Sequence, residues 1–177
     1  GDEYPVHAKC WDGLAWKKEA ATLSVGFGIL HSATAQGDDV HVVFRTPSPT
    51  FNIIYVKYTY NTNTFGTEMV LLPMAYTAAP VISIDITNDL YVFWAGYPTA
   101  NDIYYRRYTA STNTWENVVH WISETALTSV VMLTCFYRAY DKSIGLVYMS
   151  GTKSPYNVRF SFITKEPTTS GLTAQPS

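Results

Sequence analysis

Asn88-Asp89-Leu90-Tyr91-Val92-Phe93-Trp94 decides the fold, because the chain states this pattern three times. Fifty residues earlier stands Asp38-Asp39-Val40-His41-Val42-Val43-Phe44, and fifty-four residues later Lys142-Ser143-Ile144-Gly145-Leu146-Val147-Tyr148. Each copy is a polar turn followed by a short apolar or aromatic run. The next segment repeats in step: Asn52-Ile53-Ile54-Tyr55-Val56-Lys57-Tyr58, Asp102-Ile103-Tyr104-Tyr105-Arg106-Arg107-Tyr108 and Asn157-Val158-Arg159-Phe160-Ser161-Phe162. After it, Asn63-Thr64-Phe65 matches Asn113-Thr114-Trp115. A partial copy opens the chain, from Glu3-Tyr4-Pro5-Val6 through Asp12-Gly13 to Trp16. Self-similarity at a fixed step of about fifty residues marks a repeat architecture.

Each unit reads as four short strands. Pro80–Asp85 is the first, with Leu30–Ala35 and Val130–Tyr137 as counterparts; Leu90–Trp94 and its copies form the second. An unbroken apolar run this short belongs to a strand covered on both faces. Ile103–Thr109 mixes polar and aromatic residues and is expected nearer the rim, and Trp115–Ile122 is the fourth strand, matched by Phe65–Leu72 and Trp16–Ala20. Gly37-Asp38-Asp39, Asn88-Asp89, Asn61–Thr64 and Ser111–Thr114 supply turn chemistry between them. Only Lys17–Thr22 could be argued as helix, and it is too short to stand alone. The pattern predicts an all-β chain, a β-propeller of four-stranded antiparallel blades. A β-sandwich is the alternative, but it has no reason to repeat its residues at a fixed step.

Composition agrees and excludes much else. Charged residues are 15% of the chain, aromatics also 15%, and there are 14 Tyr, so Tyr, Thr, Ser and Asn must furnish the polar surface. A net charge of −2, with Lys17-Lys18 and Arg106-Arg107 the only adjacent basic pairs, gives no footprint for nucleic acid. No apolar run is long enough for a membrane-spanning helix. The low-charge, Tyr/Thr-rich surface reads as extracellular or cell-surface.

Counted along the chain, residues 1–164 hold about three blades and thirteen strands, starting and ending within a blade. Residues 165–177 read as a Pro/Thr/Ser-rich tail or linker. Because a propeller has about four to eight blades, two outcomes are open. Two copies could close a six-bladed ring as a homodimer, leaving one third-strand segment per chain in surplus, or the chain could be a piece of a longer protein.

Asp89-Leu90-Tyr91-Val92-Phe93-Trp94, Asp102–Tyr108 and the following Trp115 resemble blades of the sialidase-like (BNR-repeat) propellers, over Glu3 to Ile163. That family often carries a Ser-x-Asp-x-Gly-x-Thr-Trp turn between its third and fourth strands. Here Ser111-Thr112-Asn113-Thr114-Trp115 and Asn61-Thr62-Asn63-Thr64-Phe65 occupy that place, keeping Thr-Trp once and lacking the Asp and Gly. The resemblance implies an arginine triad, a Tyr nucleophile with a Glu partner and an Asp acid/base in the catalytic members. This chain has only Arg45, Arg106, Arg107, Arg138 and Arg159, three of them on third strands, so no catalytic residue is carried over.

In a propeller the loops joining strands two to three, and four to the next one, share the face that usually binds ligands. Here these are Arg45–Phe51, Gly96–Asn101, Ser150–Tyr156, Leu72–Thr77 and Ser123–Thr128, offering Arg45, Tyr76, Tyr97, Glu124 and Lys153 as ligand-binding candidates. Rings beside hydrogen-bonding groups suit sugar faces. Phe44, Trp94 and Tyr148, at one repeat position, are assigned to packing between blades. His7, His31, His41 and His120 lack ligand spacing, Cys10 and Cys135 are not expected to pair, and no metal or cofactor is expected. The expected function is a non-catalytic extracellular module binding glycans or a protein partner. A sialidase-like glycoside hydrolase of which this is a piece, and a purely structural assembly unit, are the alternatives.

Overall fold

The computed structural model describes residues 7–17, 28–76, 79–124, 126–127 and 133–164. Among them every regular element is a strand, all paired antiparallel in three open sheets. The first sheet contains β1 (Ile29–Gln36), β2 (Asp39–Arg45), β3 (Ile53–Thr59), β4 (Thr64–Phe65) and β5 (Met69–Leu72). In the second are β6 (Val81–Ile84), β7 (Leu90–Ala95), β8 (Asp102–Thr109), β9 (Thr114–Trp115) and β10 (Val119–Ser123). The third has β11 (Leu133–Cys135), β12 (Ser143–Ser150) and β13 (Asn157–Thr164). No helix among the described residues is long and apolar enough to cross a membrane.

The expected fourth strand is corrected in both complete sheets. Phe65–Leu72 and Trp115–Ile122 each break into a two-residue stub and a longer outer strand. Gly66 N–H donates to the Lys57 carbonyl at 2.7 Å and Glu116 N–H to the Arg107 carbonyl at 2.8 Å, after which residues 66–68 and 116–118 leave the ladder. Each of these sheets therefore has five pieces rather than four. The turns before the break are built alike. Asn63 and Asn113 sit at φ 55° and 56°, a left-handed conformation that Asn tolerates because its short side chain bonds locally. The Tyr58 and Tyr108 hydroxyls donate to their amide oxygens, and paired Thr hydroxyls lie 2.7 Å apart in both turns.

At the N-terminal side a tighter hairpin repeats this motif. Trp11 bridges Trp16 as Tyr58 bridges Phe65, and the Asp12 carboxylate accepts N–H bonds from Leu14 at 2.9 Å and Ala15 at 2.8 Å. Contacts fix the hairpin beside the first sheet: the Cys10 thiol donates to the Tyr58 hydroxyl at 3.1 Å, and Lys17 Nζ lies 3.5 Å from the centre of the Tyr60 ring. The expected strand at Glu3–Val6, the helix candidate beyond Lys17, residues 18–20 and 130–132, and the 165–177 tail lie outside the described residues.

Alternation along the strands packs the sheets face to face. Every residue of β7 is buried. Leu90, Val92 and Trp94 point back to Val43, Ile53 and Leu71 of the first sheet, whereas Tyr91, Phe93 and Ala95 point forward to Leu133, Ile144, Leu146 and Tyr148 of the third. A period of two with apolar residues on both sides is what a strand in a middle layer requires. Each fully buried large side chain here contributes about 1.5–3 kcal/mol. Phe44, Trp94 and Tyr148, at one repeat position, are all buried on the back faces of their sheets. The front face of the third sheet is the exception, for Val158, Phe160 and Phe162 of β13 are exposed.

The first strands of the three sheets meet one another. Ile82 N–H bonds the Ser32 hydroxyl at 3.3 Å, the Cys135 thiol bonds the Ile82 carbonyl at 3.2 Å, and Ala139 N–H bonds the Ile84 carbonyl at 2.8 Å. The Thr34 hydroxyl and the Ile84 N–H both reach the Tyr137 carbonyl. β6 is thus joined to β1 on one side and to β11 and the residues that follow it on the other.

Candidate functional site

The five sequence candidates divide. Arg45, at the end of β2, donates to the Tyr76 carbonyl at 2.7 Å and lies 5.8 Å from the centre of the Phe51 ring. Phe51 packs on Tyr76 at 5.1 Å, and Tyr76 meets Tyr97 edge-on at 6.3 Å. Arg45, Tyr76 and Tyr97 therefore form one cluster, completed by Phe51, which sequence reasoning placed on the loop without singling it out. Glu124 lies elsewhere, accepting the Tyr148 hydroxyl at 2.8 Å between the second and third sheets. Lys153 is exposed on the loop after β12. Thr77 and Thr128, the ends of two of these loops, lie outside the described residues.

At the opposite end, where the turns between strands one and two and between three and four lie, a cleft of about 480 Å³ opens between the first and second sheets. Asp39 and His41 of β2 and Tyr55 and Lys57 of β3 form one wall; Asn88, Tyr108, Asn113 and Trp115 form the other. The Trp115 ring stands edge-on to Tyr55 at 5.1 Å and tilted to Tyr108 at 5.4 Å, a three-ring cluster at the cleft. Asp39 accepts from Lys57 Nζ at 3.0 Å and from the Thr59 hydroxyl at 2.8 Å. His41 is only 7% exposed; its Nδ1 lies 2.8 Å from the Tyr55 hydroxyl, and its buried Nε2 has no hydrogen-bond partner.

The charges follow from this geometry. Burial pushes the His41 pKa down, further than the Asp39 charge raises it, so the imidazole is neutral at pH 7. At Asp39 burial pushes up, but hydrogen bonds from Lys57 and Thr59 and the Lys57 charge outweigh it and hold the carboxyl below its ordinary value. Burial raises the Tyr55 hydroxyl well above the usual phenol range, keeping it a neutral donor.

The cleft was not anticipated, yet the repeat carries its signal. Cross-strand partners His41 and Lys57 of the first sheet correspond to Tyr91 and Arg107 of the second and to Gly145 and Phe162 of the third. The Asp39–Lys57 pair likewise corresponds to Asp89–Arg107, at 2.6 Å. The difference is cover: the Asp89 side chain is 4% exposed and the Asp39 side chain 33%.

The arginines are engaged separately. Arg106 donates to the carbonyls of Leu71 at 2.8 Å and Glu116 at 2.7 Å, Arg107 holds Asp89, and Arg159 bonds the Ser150 hydroxyl at 3.1 Å. Arg138 joins Ile84 through its backbone. Among the described residues no group of three or more His, Cys, Asp or Glu converges as a metal site.

Compared with protein-family models and with curated proteins, the chain matches none. Among solved structures it is similar to a protein of unknown function from Dyadobacter fermentans DSM 18053, at 14% identity and a TM-score of 0.63. The match covers 92% of this chain and 50% of that one, so this chain spans about half the neighbour's length. The likeness is one of fold.

Proposed function

We propose that the chain is a non-catalytic β-propeller module of about three blades, extracellular or cell-surface, that binds a saccharide in the cleft between its first two sheets. The observation that carries this is the meeting of Tyr55, Tyr108 and Trp115 with Asp39, Lys57, Gln36 and Asn88 around one open volume. Aromatic faces take the C–H side of a sugar ring, while carboxylate, ammonium and amide groups take its hydroxyls. A neutral His41 beneath them is suited to an uncharged ligand. The meeting of β6 with β1 on one side and β11 on the other supports the propeller reading, as does the fifty-residue step.

Titration calorimetry against a panel of neutral oligosaccharides tests this. Trp115→Ala is expected to cost about 1–1.5 kcal/mol, roughly tenfold in affinity. Gln36→Ala, which leaves the packed rings in place, weakens binding with no change in thermal stability. Silence across the panel at millimolar sugar would remove the proposal. A second reading rests on the Arg45–Phe51–Tyr76–Tyr97 cluster, which fits a protein or glycan contact at the other end; loss of binding in Tyr76→Ala with Trp115→Ala unaffected would select it. Turnover of a sialoside reporter would replace both with the hydrolase alternative.

A further inference from the structure

The front face of the third sheet is built as a socket. In the second sheet the equivalent face, with Tyr91, Phe93, Ile103 and Tyr105, is the one that seats the next sheet. In the third sheet the same positions are Gly145, Val147, Val158 and Phe160. Gly145 lies buried under the Phe136 and Phe160 rings and Val147 is half-buried. No further sheet of the described residues seats on this face, and Phe160 is 57% exposed and Val158 71%. The swap of Tyr91 for Gly145 removes a ring from the middle of the face. A hollow of about 250 Å³ lies there, walled by Phe136, Tyr140, Phe160 and Phe162 and room enough for one large side chain. A Cβ at Gly145 would stand 2.8 Å from the Phe136 and Phe160 rings, so only glycine lets them settle over the strand. Among the described residues no strand pairs with the outer edge of β13, whereas β3 and β8 are each flanked by two further strands.

The other end of the stack carries the complement. The Trp11–Trp16 hairpin is fixed beside the first sheet and exposes Trp11 (52%), Leu14 (91%) and Trp16 (60%). Its bridge is the repeat counterpart of Tyr58–Phe65 and Tyr108–Trp115, the element that flanks β3 and β8 and that β13 lacks among the described residues. We propose that the socket takes the N-terminal hairpin of a second copy of this chain, and that two such head-to-tail junctions close a two-fold ring. Four or five large side chains at half to four-fifths exposure make a patch on the order of 500 Å². That is below the roughly 800 Å² per partner of a stable interface, but a closed ring buries two such junctions at once. The Dyadobacter fermentans chain, half of which this chain matches, has the length for as many sheets again. A two-chain ring would supply that number in trans.

Sedimentation across nanomolar to micromolar concentration tests this on the full chain. The expected wild-type particle contains two chains. Phe160→Asp and Leu14→Asp, both at exposed positions, each weaken association about a hundredfold or more, with circular dichroism unchanged; Phe162→Ser replaces Phe160→Asp if that variant fails to fold. Mixing the two aspartate variants recovers part of the association, because one of the two junctions then joins an intact socket to an intact hairpin. The mixture forms two-chain particles at lower concentration than either variant alone, though at higher concentration than wild type. A wild-type chain that stays monomeric throughout overturns the proposal. So does a dimer that Leu14→Asp leaves intact, since the sockets would then be pairing with each other.

Discussion

Phe93→Ala tests the face-to-face packing of the sheets, on which the cleft and the socket both depend. Phe93 is fully buried on the front of β7, with ring centres 5.6 Å from Trp121, 5.9 Å from Tyr105 and 6.3 Å from Tyr91, inside the cluster that includes Ile144 and Leu146 of the third sheet. Truncation removes a phenyl ring from a site walled by strands of two sheets, which cannot collapse without moving one of them. Core Phe→Ala changes of this kind cost about 3–5 kcal/mol. Against a typical total of about 5–15 kcal/mol this is a large share. Urea denaturation at one fixed protein concentration would show the midpoint falling by about 1–3 M at an unchanged slope. Thermal melting would fall by roughly 6–20 °C, at about 2–4 °C per kcal/mol for a chain of this size. Ile86→Ala, on a turn residue that is 58% exposed, is the control and stays within about 0.5 kcal/mol. If Phe93→Ala cost no more than that control, the second and third sheets would not share a core, and the front face of the third sheet would lose its meaning.

Other consequences are equally direct. Asp89→Ala strips the Arg107 guanidinium of a 2.6 Å partner and the Ala110 N–H of a 2.8 Å acceptor in a buried turn, and should cost about 3–4 kcal/mol in urea denaturation. The equivalent Asp39→Ala, at an exposed pair, should cost no more than about 1 kcal/mol. His41 gives a pH dependence: with its folded pKa held below about 6.5, acidification beneath that value protonates the unfolded chain first. Stability then falls with decreasing pH, by at most about 1.4 kcal/mol per unit, until the folded pKa is reached. His41→Gln removes that portion of the slope, and an identical pH profile in wild type and variant would contradict the burial of the imidazole. At Asn113 (φ 56°), Asn113→Ala should destabilise by about 1–2 kcal/mol in the same assay, and Asn113→Gly by less, because glycine keeps the backbone conformation while losing the Tyr108 hydrogen bond.

The strands were legible because the repeat prints them. The apolar run Leu90–Trp94 predicts cover on both faces, and β7 is buried throughout; β2, β8, β12 and β13 begin within a residue or so of expectation. The break after Phe65 and Trp115 was not legible, because it arises from a backbone N–H reaching the third strand, and every residue type but proline can make that bond. Of the ligand-face residues, Arg45, Tyr76 and Tyr97 do cluster, since neighbouring loops at one end of adjacent sheets must approach each other. Glu124 stays on its loop, its N–H bonded to the Asn101 carbonyl at 2.9 Å, but outside that cluster, because its side chain accepts from Tyr148 of the next sheet, and pairing across sheets leaves no trace in the spacing.

The deeper lesson lies in reading a repeat by its departures. Residues kept from copy to copy, such as Phe44, Trp94 and Tyr148, serve the packing that every sheet needs. At the position opposite Lys57, Arg107 and Phe162 the copies diverge to His41, Tyr91 and Gly145, and their volumes descend from Tyr to His to Gly. Where Tyr91 stands, the space between sheets is filled, its ring packing on Tyr105 under the Arg107 guanidinium. His41, smaller, stands at the cleft of about 480 Å³; Gly145, smaller still, stands at the hollow on the front face of the third sheet. A close-packed interior loses its contacts wherever a side chain falls short, so an underfilled repeat position is a place where something else is admitted. The rule can be checked in one chain: His41→Tyr should restore the ring that the second sheet has, close the cleft and abolish saccharide binding while raising stability. If the larger ring instead destabilised the fold, the cleft would owe its shape to the sheet spacing and not to the side chain at this position.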